Sequence, residues 1–437
     1  KGHFDLKAKW HKAARQAFRP GCAQHNMAPR LELYTAYVLS PVQQQVKRDN
    51  ESGKYGPVPK HCVVTGGLGF VGQRLVETLV ERGAEKVVSF DIVPPAPNVW
   101  KHKAIEYVTG DVRDLEALTK AVRGADCVWH VAAAVGPFLP KHFYKDINVL
   151  GVKNLIEACK SQGVRRVIFS ATPSSRFTPT EDVDGLTEAD MPDIPQAKYV
   201  AEYSATKAEG EVLLREACAK GELSFIAVAP HTVYGPRDNL FLPNLLEAAG
   251  VGKLRVFGRG TARVGYTHVD NYCHGLVIAE RQLYAGSPHL SKFYVCTDGA
   301  THPDPRGFSV FWEELDKAVV GMGFRSLYSK YFLPFYLLRT IAFILDTISS
   351  LTGKKFKLGW FTLRMMTMNR WFRITAAQAD LGYEPIVSYG EAWPDTIEWF
   401  RSNWLPMFDP KTASGTTGGI AQQTVDKVKI QEKAMGS

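Results

Sequence analysis

Residues 61–83, "HCVVTGGLGFVGQRLVETLVERG", read as a short apolar strand, a glycine-rich turn and a helix. The strand is His61–Thr65, and the apolar spacing of "GQRLVETLVERG" is helical. Gly66, Gly69 and Gly72 lie in and just after the turn. In that setting the first glycine permits a tight turn, the second lets the backbone approach a pyrophosphate, and the third allows close strand–helix packing. The N-terminus of the following helix meets the negative charge, which places Phe70 and Val71 at the same ligand.

The pattern continues outward as alternating strands and helices. "KVVSFD" (86–91), "IEYVTG" (105–110), "CVWHVA" (127–132), "RVIFS" (166–170) and "SFIAVAP" (224–230) are apolar runs separated by helical stretches such as "NVLGVKNLIEACKSQG". This alternation predicts an α/β fold, a doubly wound parallel sheet of the Rossmann type. The expected organisation is a basic extension and linker over 1–57, a nucleotide-binding domain over 58–236, a smaller substrate lobe over 237–404 and a disordered tail over 405–437. "KRDNESGKYGPVPK" (47–60) reads as the linker.

Ligands of such sheets sit at the carboxyl ends of the strands. Asp91 ends the second strand about 25 residues after Gly66, where its carboxylate would accept from ribose hydroxyls. No arginine follows it in "FDIVPPAP", so NAD is favoured over NADP. Asp111 and Val112 of "TGDVRD" fall at the adenine edge, and Ala132 and Ala133 of "HVAAAV" let the backbone pass close to the cofactor.

"AEYSATKAEGE" (201–211) then puts Tyr203 and Lys207 on one helical face. Alone, the pair is an ordinary surface combination; beside a nicotinamide it is a proton-transfer site. An ammonium about 4 Å from a phenol contributes roughly 4 kcal/mol at an effective dielectric near 20. That would lower the tyrosine by up to about 3 pKa units, toward the range useful for general acid–base work. "FSATPSS" (169–175) offers a hydroxyl for the substrate oxygen; Thr172 is preferred, with Ser170, Ser174 and Ser175 as rivals.

Taken together, T-G-G-x-G-x-x-G, the strand-end aspartate, D-V, H-x-A-A, a hydroxyl after the fifth strand and Y-x-x-x-K resemble the extended short-chain dehydrogenase/reductases. "APHTVYGPRD" (229–238) resembles that family's segment closing on the nicotinamide, which adds Pro230 and Val233 to the cofactor set. Ala229 stands where the family more often has Arg. "YSATKAEGE", "GYTHVDNYCHG" (265–275), "FSVFWEEL" (308–315) and "LRMMTMNRWFRITAAQADLGYEP" (363–385) are similar to the 3β-hydroxysteroid dehydrogenases, in particular the decarboxylating dehydrogenases of sterol C4 demethylation. The resemblance covers about residues 60–400. It implies NAD-dependent oxidation of a 4α-carboxysterol at the endoplasmic reticulum membrane, on its cytosolic face. It leaves open a homodimer and contact with other C4-demethylation enzymes. The competing readings are another 3β-hydroxysteroid dehydrogenase or isomerase, a nucleotide-sugar epimerase, and a catalytically silent NAD-binding protein.

Composition bounds these readings. With 53 Lys+Arg against 44 Asp+Glu the chain is basic, but much of the excess lies near the ends and around 353–373, which suits a membrane surface better than a nucleic-acid groove. Seven scattered cysteines, Cys22, Cys62, Cys127, Cys159, Cys218, Cys273 and Cys296, form no C-x-x-C pair, so neither zinc nor a disulfide framework is expected. Residues 1–30 read either as a transit-like leader or as an extension ahead of a start at Met27. "LYSKYFLPFYLLRTIAFILDTISSL" (327–351) is apolar but interrupted by Lys330, Arg339 and Asp346. Leu337, Ile341, Ile344, Leu345 and Ile348 form one stripe, which predicts an amphipathic helix lying in a membrane interface, continued by the basic and aromatic residues up to 371. A helix packed on its own domain is the alternative.

Overall fold

The structure, a computed structural model, describes residues 33–411 apart from 137, 138, 179, 353–355 and 357. The basic stretch 1–30 and most of the expected tail lie outside the described residues. The strands are β1 His61–Thr65, β2 Lys86–Asp91, β3 Ile105–Thr109, β4 Cys127–His130, β5 Arg166–Ser170, β6 Val183–Leu186, β7 Ser224–Ala229, β8 Val233–Tyr234, β9 Arg263–Val264, β10 Thr267–His268, β11 Phe293–Val295, β12 Ser309–Val310 and β13 Arg370–Phe372. Seven of them form a parallel sheet in the order β3-β2-β1-β4-β5-β7-β11, whose reversal of direction lies between β1 and β4. That is the doubly wound Rossmann arrangement, with its ligand crevice at the switch point.

Helices α1 Pro41–Glu51, α2 Phe70–Glu81, α3 Leu115–Val122, α4 Gly151–Gln162, α5 Glu202–Ala219 and α6 Val269–Ala279 cover this sheet or its rim. Alternate strand residues feed two cores. Val63, Val128 and Val167 pack with Leu118, Leu155 and Leu214 of α3, α4 and α5. Val64, Trp129 and Ile168 pack on the other face with Leu75, Leu79 and Leu276 of α2 and α6. Continuous apolar strands buried on both faces are what a parallel sheet requires.

The boundary drawn at residue 236 is crossed in both directions. β11 closes the edge of the main sheet from beyond it, while β6 leaves for a second sheet, β12-β9-β13-β6. Strands of two to four residues carry too little alternation to be read from sequence, so this sheet became visible only in three dimensions.

The stretch expected as a linker also differs: Lys47–Glu51 are the last turns of α1. Ser40 caps that helix through Gln43 N and Pro41 opens it. It docks through Val42 and Val46 and through polar contacts, Asn50 to Glu81 at 2.7 Å and Gln43 to Asp270 at 3.2 Å, so its apolar stripe is too short to read as a helix face. These contacts join a buried ion network on α2, where Arg74 pairs with Asp270 at 2.6 Å and Glu81 at 2.7 Å, and Glu77 with Arg237 at 2.6 Å. The polar face of α2 is therefore covered by α1, α6 and the Arg237 loop rather than by water.

Helices α7 Phe335–Thr352 and α8 Trp360–Thr367 form a separate small layer. Among the described residues α7 alone is long and apolar enough to cross a membrane by length and composition. Leu338 and Ala342 bury against Leu363 of α8. Of the five residues expected in the apolar stripe, Leu337, Ile344 and Ile348 face outward, and Ile341 and Leu345 are half-buried. The helix thus packs on its own domain by one face and presents apolar side chains on the other.

Candidate active site

One cavity of about 680 Å³ opens at the carboxyl ends of the main sheet, and every residue assigned from sequence to the cofactor or the chemistry lines it, while the rival Ser175 does not. Gly66, Gly69, Phe70, Val71 and Gly72 form its floor at the α2 N-terminus. Gly66 adopts a left-handed φ of +70°. A Cβ on Gly72 would stand 2.0 Å from the Gly66 carbonyl oxygen, so α2 can approach the turn only with glycine there. Gly69 caps α2 without any side-chain hydrogen bond. The first N–H groups of α2 are thereby left for an anion.

Asp91 ends β2 and accepts from Leu68 N at 2.9 Å and Val93 N at 3.2 Å, so it fixes the glycine turn from the neighbouring strand. Asp111 is buried and paired with Arg113 at 2.8 Å, and Val112 lines the wall beside it. Ala132 and Ala133 follow β4, with Ala132 N donating to Thr65 Oγ1 at 3.3 Å. Pro230 and Val233 follow β7 on the opposite wall. A positive helix terminus, a carboxylate at the end of β2 and small residues after β4 fit a dinucleotide: pyrophosphate at the glycine turn, ribose at Asp91, nicotinamide toward Pro230 and Val233.

The side chains with chemistry gather where β5 meets α5. Lys207 Nζ donates to the Ser170 carbonyl oxygen at 2.6 Å and lies 4.0 Å from the centre of the Phe169 ring. Burial lowers Lys207 to about 7. Tyr203 is pushed up to about 12, first by burial, against a lowering hydrogen bond from Thr172. The expected lowering of the phenol by the lysine is therefore not the leading effect here. The ammonium is turned to β5, and desolvation of the phenolate outweighs the Thr172 hydrogen bond.

The rival hydroxyls separate by their partners. Ser170 Oγ is held by Tyr272 OH at 2.8 Å, and Ser175 Oγ donates to the Thr172 carbonyl at 2.7 Å. Ser174 Oγ joins Thr172 Oγ1 and Ser204 Oγ, each at 2.9 Å. Of these hydroxyls, Thr172 is the one that acts on the Tyr203 phenol, lowering it against the effect of burial. The loop that carries it is clamped to α5 by the buried Arg176–Glu211 pair, one turn beyond Lys207.

Sequence reasoning passed over three neighbours. Asn148, in a π-helical turn before α4, accepts from Ala134 N at 2.8 Å and donates to Thr206 Oγ1 at 3.1 Å, tying the β4 loop to α5. His231 and Arg370 both line the cavity, and an Arg370 NH1 stands 3.2 Å from His231 Nε2. Around them the wall is apolar, with Phe177, Val200, Leu240, Phe241, Phe361 and Met365. The signal for Asn148 lay in "INVLGV", where an Asn interrupts an apolar helix; His231 and Arg370 stand 139 residues apart and share no local pattern.

Comparison with known proteins places this geometry. The family described as 3-beta hydroxysteroid dehydrogenase/isomerase matches residues 63–318. The chain is 31% identical over 385 residues to 3beta-hydroxysteroid-dehydrogenase/decarboxylase isoform 1 of Arabidopsis thaliana, covering 84% of this chain and 86% of that protein. It is 30% identical over 354 residues to the decarboxylating sterol-4-alpha-carboxylate 3-dehydrogenase of Homo sapiens, covering 78% and 88%. It is 31% identical over 334 residues to 2-alkyl-3-oxoalkanoate reductase of Stenotrophomonas maltophilia (strain K279a), covering 75% and 96%. Among solved structures, MoeE5 in complex with UDP-glucuronic acid and NAD has a TM-score of 0.59 at 24% identity, covering 78% of this chain and 99% of its own, a likeness of fold.

Proposed function

This chain belongs to the 3-beta hydroxysteroid dehydrogenase/isomerase family, and we propose that it oxidises the 3β-hydroxyl of a 4α-carboxysterol to the 3-ketone with loss of CO₂, using NAD. The observation that carries this reading is the meeting of Tyr203, Thr172 and Lys207 with an apolar wall in one cavity. A fused hydrocarbon ring system with one hydroxyl to oxidise suits such a wall; a nucleotide sugar would call for more polar groups along it.

NAD, when bound, supplies the hydride acceptor. Tyr203 takes the proton of the 3β-hydroxyl, Thr172 holds the oxygen beside it, and Lys207 fastens the helix that carries Tyr203 to the end of β5. The product is a β-keto acid. When its carboxylate leaves as CO₂, the electron pair of the broken bond enters the C3 carbonyl as an enolate. Tyr203 then returns the proton it took, and the enol becomes the ketone. Two relatives support a substrate of this kind by name: a sterol 4-carboxylate and a 2-alkyl-3-oxoalkanoate both carry a carboxylate one carbon from the oxygen-bearing carbon. Neighbours solved with NAD support that cofactor, and the carboxylate of Asp91 at the end of β2, which would repel a 2′-phosphate, is the argument for it over NADP.

We further infer attachment to the endoplasmic reticulum membrane from the cytosolic side, through the outward face of α7, where substrates of this class dissolve. The deciding assay incubates the protein and NAD with a 4α-carboxysterol and follows NADH and CO₂ together. Equal release of both is expected. NADH without CO₂ would favour a plain 3β-hydroxysteroid dehydrogenase, and neither product would refute the proposal.

A further inference from the structure

Arg370, half-buried at the cavity wall, differs from most of the fully buried arginines of this protein. Arg74, Arg176 and Arg237 each pair with a carboxylate. Arg370 has no ion pair among the described residues, although burial alone holds it down to about 10. Its Nη2 donates to the Met365 carbonyl oxygen at 2.7 Å, and its Nη1 reaches His231 Nε2 at 3.2 Å. Its Nε is buried with no acceptor. A guanidinium has five N–H donors; with Nε enclosed and two committed, one on each terminal nitrogen remains for a ligand.

The imidazole beside it is set up to leave this charge uncancelled. His231 Nδ1 lies 2.8 Å from the Gly265 carbonyl, an acceptor only, so the ring proton sits there and Nε2 faces Arg370 as a neutral acceptor. Burial lowers His231 to about 3, which keeps the ring uncharged. The carboxylates that line the cavity, Asp91 and Asp111, belong to β2 and the loop after β3, at the far edge of the sheet from β7.

Arg370 stands close to the chemistry by topology. β5 and β7 are neighbours with Ser170 opposite Val228, so Thr172 and His231 leave adjacent strand ends. Arg370 contacts His231, and Phe177, Phe361 and Met365 complete the wall around them. A positive charge with free donors thus lines the cavity, uncancelled by any carboxylate on that side, where the β5 and β7 ends lie next to each other. Partly desolvating it without an anion is costly, which points to an anion supplied by the substrate.

We propose that Arg370 receives the carboxylate of the substrate and is the residue by which this site distinguishes a 3β-hydroxy-4α-carboxysterol from the same sterol without the acid. The inference rests on the functional reading above. His231 holds the guanidinium in place as a positioning residue and remains neutral through the cycle.

The test uses the full chain with NAD and two substrates, a 4α-carboxy-3β-hydroxysterol and its counterpart lacking the carboxyl group. Arg370→Met is expected to reduce kcat/KM for the acid by about 100-fold, mostly through KM, as loss of one partner of a buried charge pair does. Turnover of the neutral sterol and the KM for NAD should hold, which also establishes that the variant is folded. Arg370→Lys keeps the charge without the fork and should fall between. If R370M and R370K keep the wild-type preference for the acid, or lose both substrates equally while still binding NAD, Arg370 does not read the carboxylate, although the dehydrogenase reading stands. Wild-type protein that turns over neither sterol overturns both.

Discussion

Lys207 Nζ donates to the carbonyl oxygen of Ser170 at 2.6 Å, fastening the α5 helix to the end of β5. The bond places a buried ammonium at the backbone of the loop that presents Thr172. Burial, the larger effect for both side chains, takes Lys207 down to about 7 and Tyr203 up to about 12. The pair is thus held with its charges suppressed, as a site that admits charge only along with a charged ligand would be.

The lysine shift predicts a pH dependence of stability. Lys207 titrates near 7 in the folded protein and near 10.5 when unfolded. Below 7 both states carry the proton and the fold bears the burial cost; between 7 and 10.5 only the unfolded state binds it, so stability rises with pH. Comparing the wild type with Lys207→Met cancels the other titrating groups. The stability difference between them should move in favour of the wild type from pH 7 to pH 10, measured by urea denaturation; a flat difference would disprove the shift.

For Tyr203→Phe we expect turnover to fall by about 10²–10⁴-fold, the range for losing a general acid–base group. NAD affinity, read by fluorescence, should be unchanged. Thr172→Val should lose about 10- to 100-fold and Thr172→Ser much less, since a hydrogen bond to a developing charge is worth about 1.5–3 kcal/mol. Ser170→Ala should lose little, because its hydroxyl is committed to Tyr272. If Ser170→Ala were the more damaging change, the orienting hydroxyl would be reassigned.

Asp91 holds Leu68 N and Val93 N and ends β2 at the cavity. Asp91→Ala should raise the KM for NAD by about tenfold, the equivalent of about 1.4 kcal/mol in a hydrogen bond to a charged group. It should also raise the ratio of NADP to NAD use, because the carboxylate that repels a 2′-phosphate is gone. Steady-state kinetics with both cofactors checks this; an unchanged ratio would move the ribose contact elsewhere.

What was legible in the sequence was what is local. β1, the glycine turn and α2 are contiguous, and the cofactor residues follow at successive strand ends, because a parallel sheet repeats one unit along the chain. Tyr203 and Lys207 are one helical turn apart. Arg370 and His231 are brought together by β13 and the loop after β7, and nothing near either residue marks the pairing. The ion network of Arg74, Glu77, Arg237 and Asp270 escaped for the same reason: α2 looks solvated on its polar face until α1, α6 and the Arg237 loop close over it. The stripe on α7 was visible, but which face turned inward was not, since both faces are apolar enough to pack.

That second face gives the last prediction. Eighteen residues of helix extend about 27 Å, near the thickness of a bilayer core. Yet Leu338 and Ala342 are buried against α8, and Asp346 accepts from Trp360 N at 2.8 Å, so α7 is held to the domain by one side. Its other side exposes Tyr336, Phe343, Ile344 and Leu351, with Phe343 at 73% and Leu351 at 81%. On the membrane attachment proposed above, a helix fastened in this way would lie along the surface rather than through it, with its open face toward the lipid. Phe343→Glu with Ile344→Glu should abolish co-sedimentation with vesicles of phosphatidylcholine and phosphatidylinositol while leaving Tm and NADH production in detergent unchanged. Leu338→Ala should do the reverse, retaining vesicle binding but costing about 2–5 kcal/mol of local packing. If the glutamate pair binds vesicles as the wild type does, the outward apolar face does not serve the membrane, and the delivery route for the substrate lies elsewhere on the protein.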